Sequence, residues 1–167
     1  MIRTSLALVF ACLAAPQASQ AEGLLGRTVV FTVEVWDDPQ APLLESGAYT
    51  ARVGPGAEIE MTEEGWLGMN VVPVTIDISD SRVTFSYEGD WTGTFYPSAF
   101  NGYVMRFAGE CALIERAKPV AEGSTQPVPA EAVSFGSQEL RLNVAGLSHA
   151  PGERIEIALR VADCPVS

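Results

Sequence analysis

An antiparallel, two-layer β-sandwich of about 8–10 strands is the fold class this sequence predicts. Three observations carry it. Apolar and polar side chains alternate through five long runs, turn-forming residues separate those runs, and no segment beyond residue 22 shows helical spacing. A closed β-barrel satisfies the same pattern and is the alternative.

The elements follow in chain order. Residues 27–36 read RTVVFTVEVW, with Val29, Phe31, Val33 and Val35 on one face and Thr28, Thr32 and Glu34 on the other. Val72, Val74, Ile76 and Ile78 repeat the pattern against Thr75 and Asp77, as Val83, Phe85 and Tyr87 do against Thr84, Ser86 and Glu88. Later, Leu140, Leu142 and Val144 oppose Arg141 and Asn143, while Ile155, Ile157, Leu159 and Val161 oppose Glu156 and Arg160. A two-residue period sends successive side chains to opposite faces, so each run is a strand with one buried and one solvated side. Shorter strands are expected at Ala48–Val53, Ile59–Met61, Gly93–Tyr96 and Tyr103–Phe107. Turn signatures punctuate the runs: Asp37-Asp38-Pro39, Gly54-Pro55-Gly56, Ser79-Asp80-Ser81, Glu88-Gly89-Asp90 and Pro151-Gly152. Links this short favour antiparallel pairing, because parallel strands need long crossovers. Residues 118–132, KPVAEGSTQPVPAEA, hold three prolines and are expected to form an exposed loop between sheet edges.

Ahead of the first strand stands a different kind of segment. Arg3 gives a positive start, residues 6–15 are apolar and uncharged, and Pro16 ends any helix. Ser19 and Ala21 then place small residues at the spacing a signal peptidase accepts. Residues 1–21 therefore read as a cleaved secretory signal and residues 22–167 as one domain. The apolar run is far short of the ~20 residues that span a bilayer. Cys12 follows Val9-Phe10-Ala11, a poor imitation of a lipoprotein site because Phe10 is bulky. The expected address is the periplasm or the outside of the cell, with no stable membrane insertion.

Removing residues 1–21 of 167 leaves 146, enough to bury a core without a metal. Arg3 is the one charge before Glu22, so its loss moves the formal charge from −11 to −12. Such a surface repels nucleic acid, and the expected partner is a protein or a glycan. Cys12 leaves with the signal. In an oxidising compartment Cys111 and Cys164 are expected to pair as one disulfide, since neither has a nearby His or a C-x-x-C neighbour. The bridge would close a loop of about 54 residues and stabilise by roughly 4 kcal/mol in the chain-entropy account.

Two stretches resemble known sequence patterns. Phe100-Asn101-Gly102-Tyr103-Val104 is similar to an F-N-G-aromatic motif. Val133-Ser134-Phe135 followed by residues 139–148, ELRLNVAGLS, and Pro151-Gly152 is similar to a strand, v-N-x-x-G-L, turn, strand ending. Both occur in secreted proteobacterial β-rich domains of the kind found in PEP-CTERM and VPLPA-CTERM sorted proteins. The resemblance covers about residues 95–161, with no sorting tail after it. It implies an extracellular β domain and brings no catalytic residue. Physically, Gly102 and Gly146 suit positive φ or close backbone approach, and Asn143 suits a bond to a turn backbone.

No constellation in the sequence reads as a reaction centre, and no cofactor is expected. His149 is the single histidine, which excludes multi-histidine metal sites. It sits in Ser148-His149-Ala150-Pro151, expected to be an exposed turn, and no G-x-S-x-G elbow accompanies it. Asp77, Asp80, Glu88 and Asp90 surround an expected hairpin, where a close pair of carboxylates would suit a small hydrolase. Asp37 and Asp38 are the candidates for calcium, which needs several loop oxygens. Trp66, Trp91, Tyr96, Phe100 and Tyr103 cluster in sequence. Of these, Trp66, Trp91, Tyr96 and Tyr103 are the candidates for stacking on a ligand such as a sugar, although aromatic side chains are more often core. The expectation is a non-enzymatic binding or envelope interaction module. A carbohydrate- or calcium-dependent adhesion module and a two-acid hydrolase are the alternatives.

Overall fold

The first alternating run becomes the axis of one sheet. The computed structural model describes residues 23–109 and 111–164; the expected leader and the lipoprotein alternative at Cys12 lie outside them. Strand β1 (Thr28–Trp36) pairs along its whole length with β8 (Phe100–Ala108), from Thr28 opposite Ala108 to Trp36 opposite Phe100. The other side of β1 is shared by β2 (Leu44–Glu45) and β3 (Tyr49–Arg52). Strand β8 also carries β11 (Glu139–Asn143), which in turn holds the edge strand β10 (Val133–Phe135). The second sheet runs β4 (Ala57–Met61), β5 (Val74–Ser79), β6 (Arg82–Tyr87), β13 (Arg154–Asp163) and β9 (Ala112–Pro119). A ribbon of β7 (Gly93–Thr94) and β12 (Ser148–His149) closes one end. Every pairing is antiparallel, and neither large sheet closes on itself, so the molecule is an all-β sandwich and not a barrel. Among the described residues no helix is long and apolar enough to cross a membrane.

The inward residues are those the alternation marks. Val29, Phe31 and Val33 of β1 meet Tyr103 and Met105 of β8 on one inner face. Val74, Ile76, Ile78, Val83, Phe85, Ile155 and Ile157 line the other. Phe85 and Tyr103 touch across the layers, with ring centroids 4.9 Å apart. Apolar burial of this kind contributes about 25 cal/mol per Å² removed from water and is the main force joining the sheets.

Two expectations need correcting. The outer face of β1 is not simply solvated: Thr32 and Glu34 are buried. Arg106 reaches both of them and also Glu139, which Arg141 holds from the other side. Burial alone would raise the Glu139 carboxyl, but Arg141 and Arg106 outweigh it and hold it below the ordinary carboxylate range. Next, β9 begins where no strand was expected. Arg160 pairs with Arg116 while Val161 pairs with Ile114, so Glu115 is an unpaired bulge that breaks the alternation. The proline-rich segment is largely exposed and lies against β13. Ser124 Oγ accepts the Glu156 N–H at 2.9 Å, and Gln126 is buried. This cover explains why Glu156 is buried too, held by Arg82 and Arg154.

Both glycines singled out in the sequence behave as their chemistry requires. A Cβ on Gly102 would lie 1.9 Å from the Leu142 carbonyl oxygen, so only glycine lets β8 and β11 approach there. Gly146 has φ 72° in the turn that follows β11.

Candidate functional site

Two asparagines build one end of the sandwich. Asn143 Oδ1 accepts the Asn101 N–H at 3.1 Å and the Ala145 N–H at 3.0 Å, and its Nδ2 donates to the Ala99 carbonyl. Asn101 Nδ2 donates to the Tyr96 carbonyl at 3.0 Å. These bonds fix the loop entering β8 against the loop leaving β11. The Phe95 N–H then donates to Leu147 O, and β7 pairs with β12 so that His149 stands opposite Gly93. A Cβ on Gly93 would lie 3.1 Å from His149 Nε2, so glycine lets the two strands close around the imidazole.

The result corrects the exposed reading of His149. Its residue is only 7% exposed, and its ring packs on Phe95 with centroids 4.9 Å apart. Phe95 also meets Tyr87, so an aromatic row runs from the ribbon into the core. Beside this row opens a cleft of about 210 Å³. Val33, Val35, Val72 and Val144 form its apolar part, with Phe95, Tyr96 and Tyr103 around it. Its polar lining is Asn70, Thr94, Asn101 and His149, and no charged side chain lines it.

Polar atoms without partners gather at this end. Among the described residues, the buried side-chain atoms lacking a hydrogen bond are Tyr87 Oη, Gln126 Oε1 and His149 Nδ1. Tyr87 ends β6 beside the 151–152 turn, with the Gly152 N–H donating to its carbonyl. Gln126 Nε2 donates to Ser148 O, one residue from the imidazole. Burial pushes the Tyr103 and Tyr87 phenols well above the ordinary tyrosine value, and Tyr87 is raised further by Tyr103 and Glu153. The Tyr87 and Tyr103 hydroxyls interact at short range without Tyr87 Oη reaching hydrogen-bond geometry.

The residues named from sequence distribute unevenly. Tyr96 and Tyr103 both line the cleft, Tyr96 at 61% exposure and Tyr103 buried. Trp66 is buried near Tyr49, and Trp91 is 36% exposed; neither lines the cleft. Phe100 lies flat against Trp36 on the outer face of the first sheet, with centroids 5.1 Å apart. Asp37 accepts the Ala99 N–H and Asp38 the Gln40 N–H, so both carboxylates hold loop backbone. No group of three or more His, Cys, Asp or Glu among the described residues is arranged to hold a metal ion. Asp80 sits in the turn between β5 and β6, while Glu88 and Asp90 follow the far end of β6. The six-residue β6 holds Asp80 about 20 Å from Glu88 and Asp90, beyond the ~9.5 Å limit for paired carboxylates, while Asp77 stands in β5 opposite Thr84. Cys111 and Cys164 are joined as a disulfide, Cα atoms 5.5 Å apart, at the end opposite the cleft.

No family model, curated protein or solved structure matches this chain. The cleft is the feature of the molecule that bears on function. What it offers is shape, apolar surface and a few uncharged hydrogen-bonding groups. Its lining holds no carboxylate, serine or cysteine among the described residues.

Proposed function

We propose that this chain is an exported, non-enzymatic β-sandwich that binds a ligand or a partner's side chain at the cleft beside His149. One observation carries the reading: every buried side-chain polar atom left unpartnered among the described residues lies at that end of the molecule. Folded chains pair such atoms because burying them alone costs about 1–3 kcal/mol each, and the one of the three that lines the cleft, His149, marks it as a place kept for binding. Export is supported by the signal-like grammar of residues 1–21 and by the Cys111–Cys164 bridge, which persists in oxidising compartments. The resemblance of residues 95–161 to secreted β-rich domains points the same way.

Two measurements test the reading. Intact mass of the protein recovered from the periplasm or medium should begin at Glu22; retention of the leader in cells would remove the export claim. A fragment screen by amide NMR should move resonances of Thr94, Phe95, Tyr96 and His149 before any others, and a screen that leaves all four still would remove the binding claim. A second reading has its own observation. Tyr96 stands largely exposed at the rim, where its face suits stacking on a sugar ring. Including pyranoses in the screen decides between the two, since stacking at the rim would move Tyr96 without His149.

A further inference from the structure

We propose that the cleft takes an uncharged, phenol-sized group carrying one hydroxyl, with the ring against the valine wall and the hydroxyl on His149. This rests on the cleft's being the binding site. Size sets the first limit. An engineered apolar cavity of about 150 Å³ takes up benzene, so 210 Å³ has room for one ring with a substituent. Charge sets the second. No lining side chain is charged, so an ionised ligand would lose its water without gaining a counter-charge. The protein's formal charge of −11 adds a further penalty for anions.

Hydrogen bonding sets the third limit. His149 is buried in the wall, and Nδ1 has no partner. A neutral imidazole has one donor and one acceptor nitrogen, and a hydroxyl meets either because it both donates and accepts. Tyr103 stays a neutral phenol, since burial opposes its ionisation. A hydrocarbon ring would leave His149 Nδ1 unmatched.

The test is an amide NMR titration of the purified protein with p-cresol, toluene, p-toluate and N-acetyl-tyrosinamide. The expected result is that p-cresol shifts Thr94, Phe95, Tyr96 and His149, that toluene binds about tenfold more weakly, and that p-toluate does not bind. In His149→Phe, p-cresol should fall to the level of toluene while toluene is unchanged, and retained toluene binding shows an intact cleft. His149→Leu gives a second version should the first variant not fold. N-acetyl-tyrosinamide binding as well as p-cresol assigns the group to a side chain on a partner; binding tenfold weaker assigns it to a free small molecule. Equal binding of p-cresol and toluene, or binding of p-toluate, overturns the ligand class and leaves the cleft as a site. If none of the probes moves the cleft amides, the class and the site reading fall together.

Discussion

At one end of the sandwich the chain is locked, and at the other it is left unfinished. The locked end joins Cys111 to Cys164 and sets the buried Arg27 guanidinium on Asp163, while its Nε donates to Gly23 O at 2.6 Å. The opposite end is closed only by a two-strand ribbon of two residues each, and it holds Tyr87 Oη, Gln126 Oε1 and His149 Nδ1 without partners. Strand β13 reaches both, from Arg154, whose carbonyl accepts the Gln126 N–H, to Asp163 next to Cys164. The same strand thus runs between the two ends. Strong closure at one end lets the fold tolerate unmatched polar groups at the other, which is the division of labour expected where a site must stay open.

The contrast can be broken by mutation, beginning where the effect is greatest. Cys111→Ser with Cys164→Ser should lower unfolding free energy by about 4 kcal/mol, the chain-entropy value for a loop of this length. Urea denaturation of both forms reads it, and a loss under 1 kcal/mol would mean the bridge does not lock that end. Arg27→Met should follow at about 3 kcal/mol, because it leaves the partly buried Asp163 carboxylate without its cation. Neither change should alter ligand shifts at the cleft. If either one does, the two ends are coupled and the division fails.

What the sequence discloses follows the same line. Strands β1, β5, β6, β11 and β13 alternate strictly on their inner faces, so their period survives in the sequence and marks their core residues. Strand β9 hides behind the bulge at Glu115, which shifts its charges out of phase. The disulfide at the locked end is legible because Cys111 and Cys164 are the only cysteines beyond residue 21. The cleft is not. His149 is buried by Phe95 and Gly93, more than fifty residues away in the chain, and its own neighbours Ser148, Ala150 and Pro151 look like a turn. Tyr96 and Tyr103 could be found as aromatics near turns, yet the same rule also named Trp66 and Trp91, which lie elsewhere. Outer faces mislead as well, because Glu34 and Glu156 are polar in sequence but covered by arginines and by the proline-rich segment.

A smaller effect, of opposite sign, tests the unfinished end. Tyr87→Phe removes a buried hydroxyl that has no hydrogen bond and keeps the ring against Phe95. Deleting a partnered hydroxyl costs stability, whereas deleting an unmatched one relieves desolvation. The variant should be as stable as the parent or more so by up to about 1 kcal/mol. A loss of 2 kcal/mol in chemical denaturation would show the hydroxyl to be matched after all.

The alkaline limb of stability sharpens the comparison further. Tyr87 and Tyr103 both have folded values raised above the unfolded one, near 10, chiefly by burial. A raised value means the contribution is complete below about pH 10 and is withdrawn as pH climbs toward the folded values, because the unfolded chain gives up its protons first. Urea midpoints taken between pH 8 and 11 should therefore fall with rising pH in the parent and fall less steeply in Tyr87→Phe. The double serine variant at the locked end removes no tyrosine, so its curve should lie lower at every pH and keep the parent's slope. Equal slopes for the parent and Tyr87→Phe would show that the cleft end is wetter than its burial implies, and would take the polar mismatch out of the argument for a binding site.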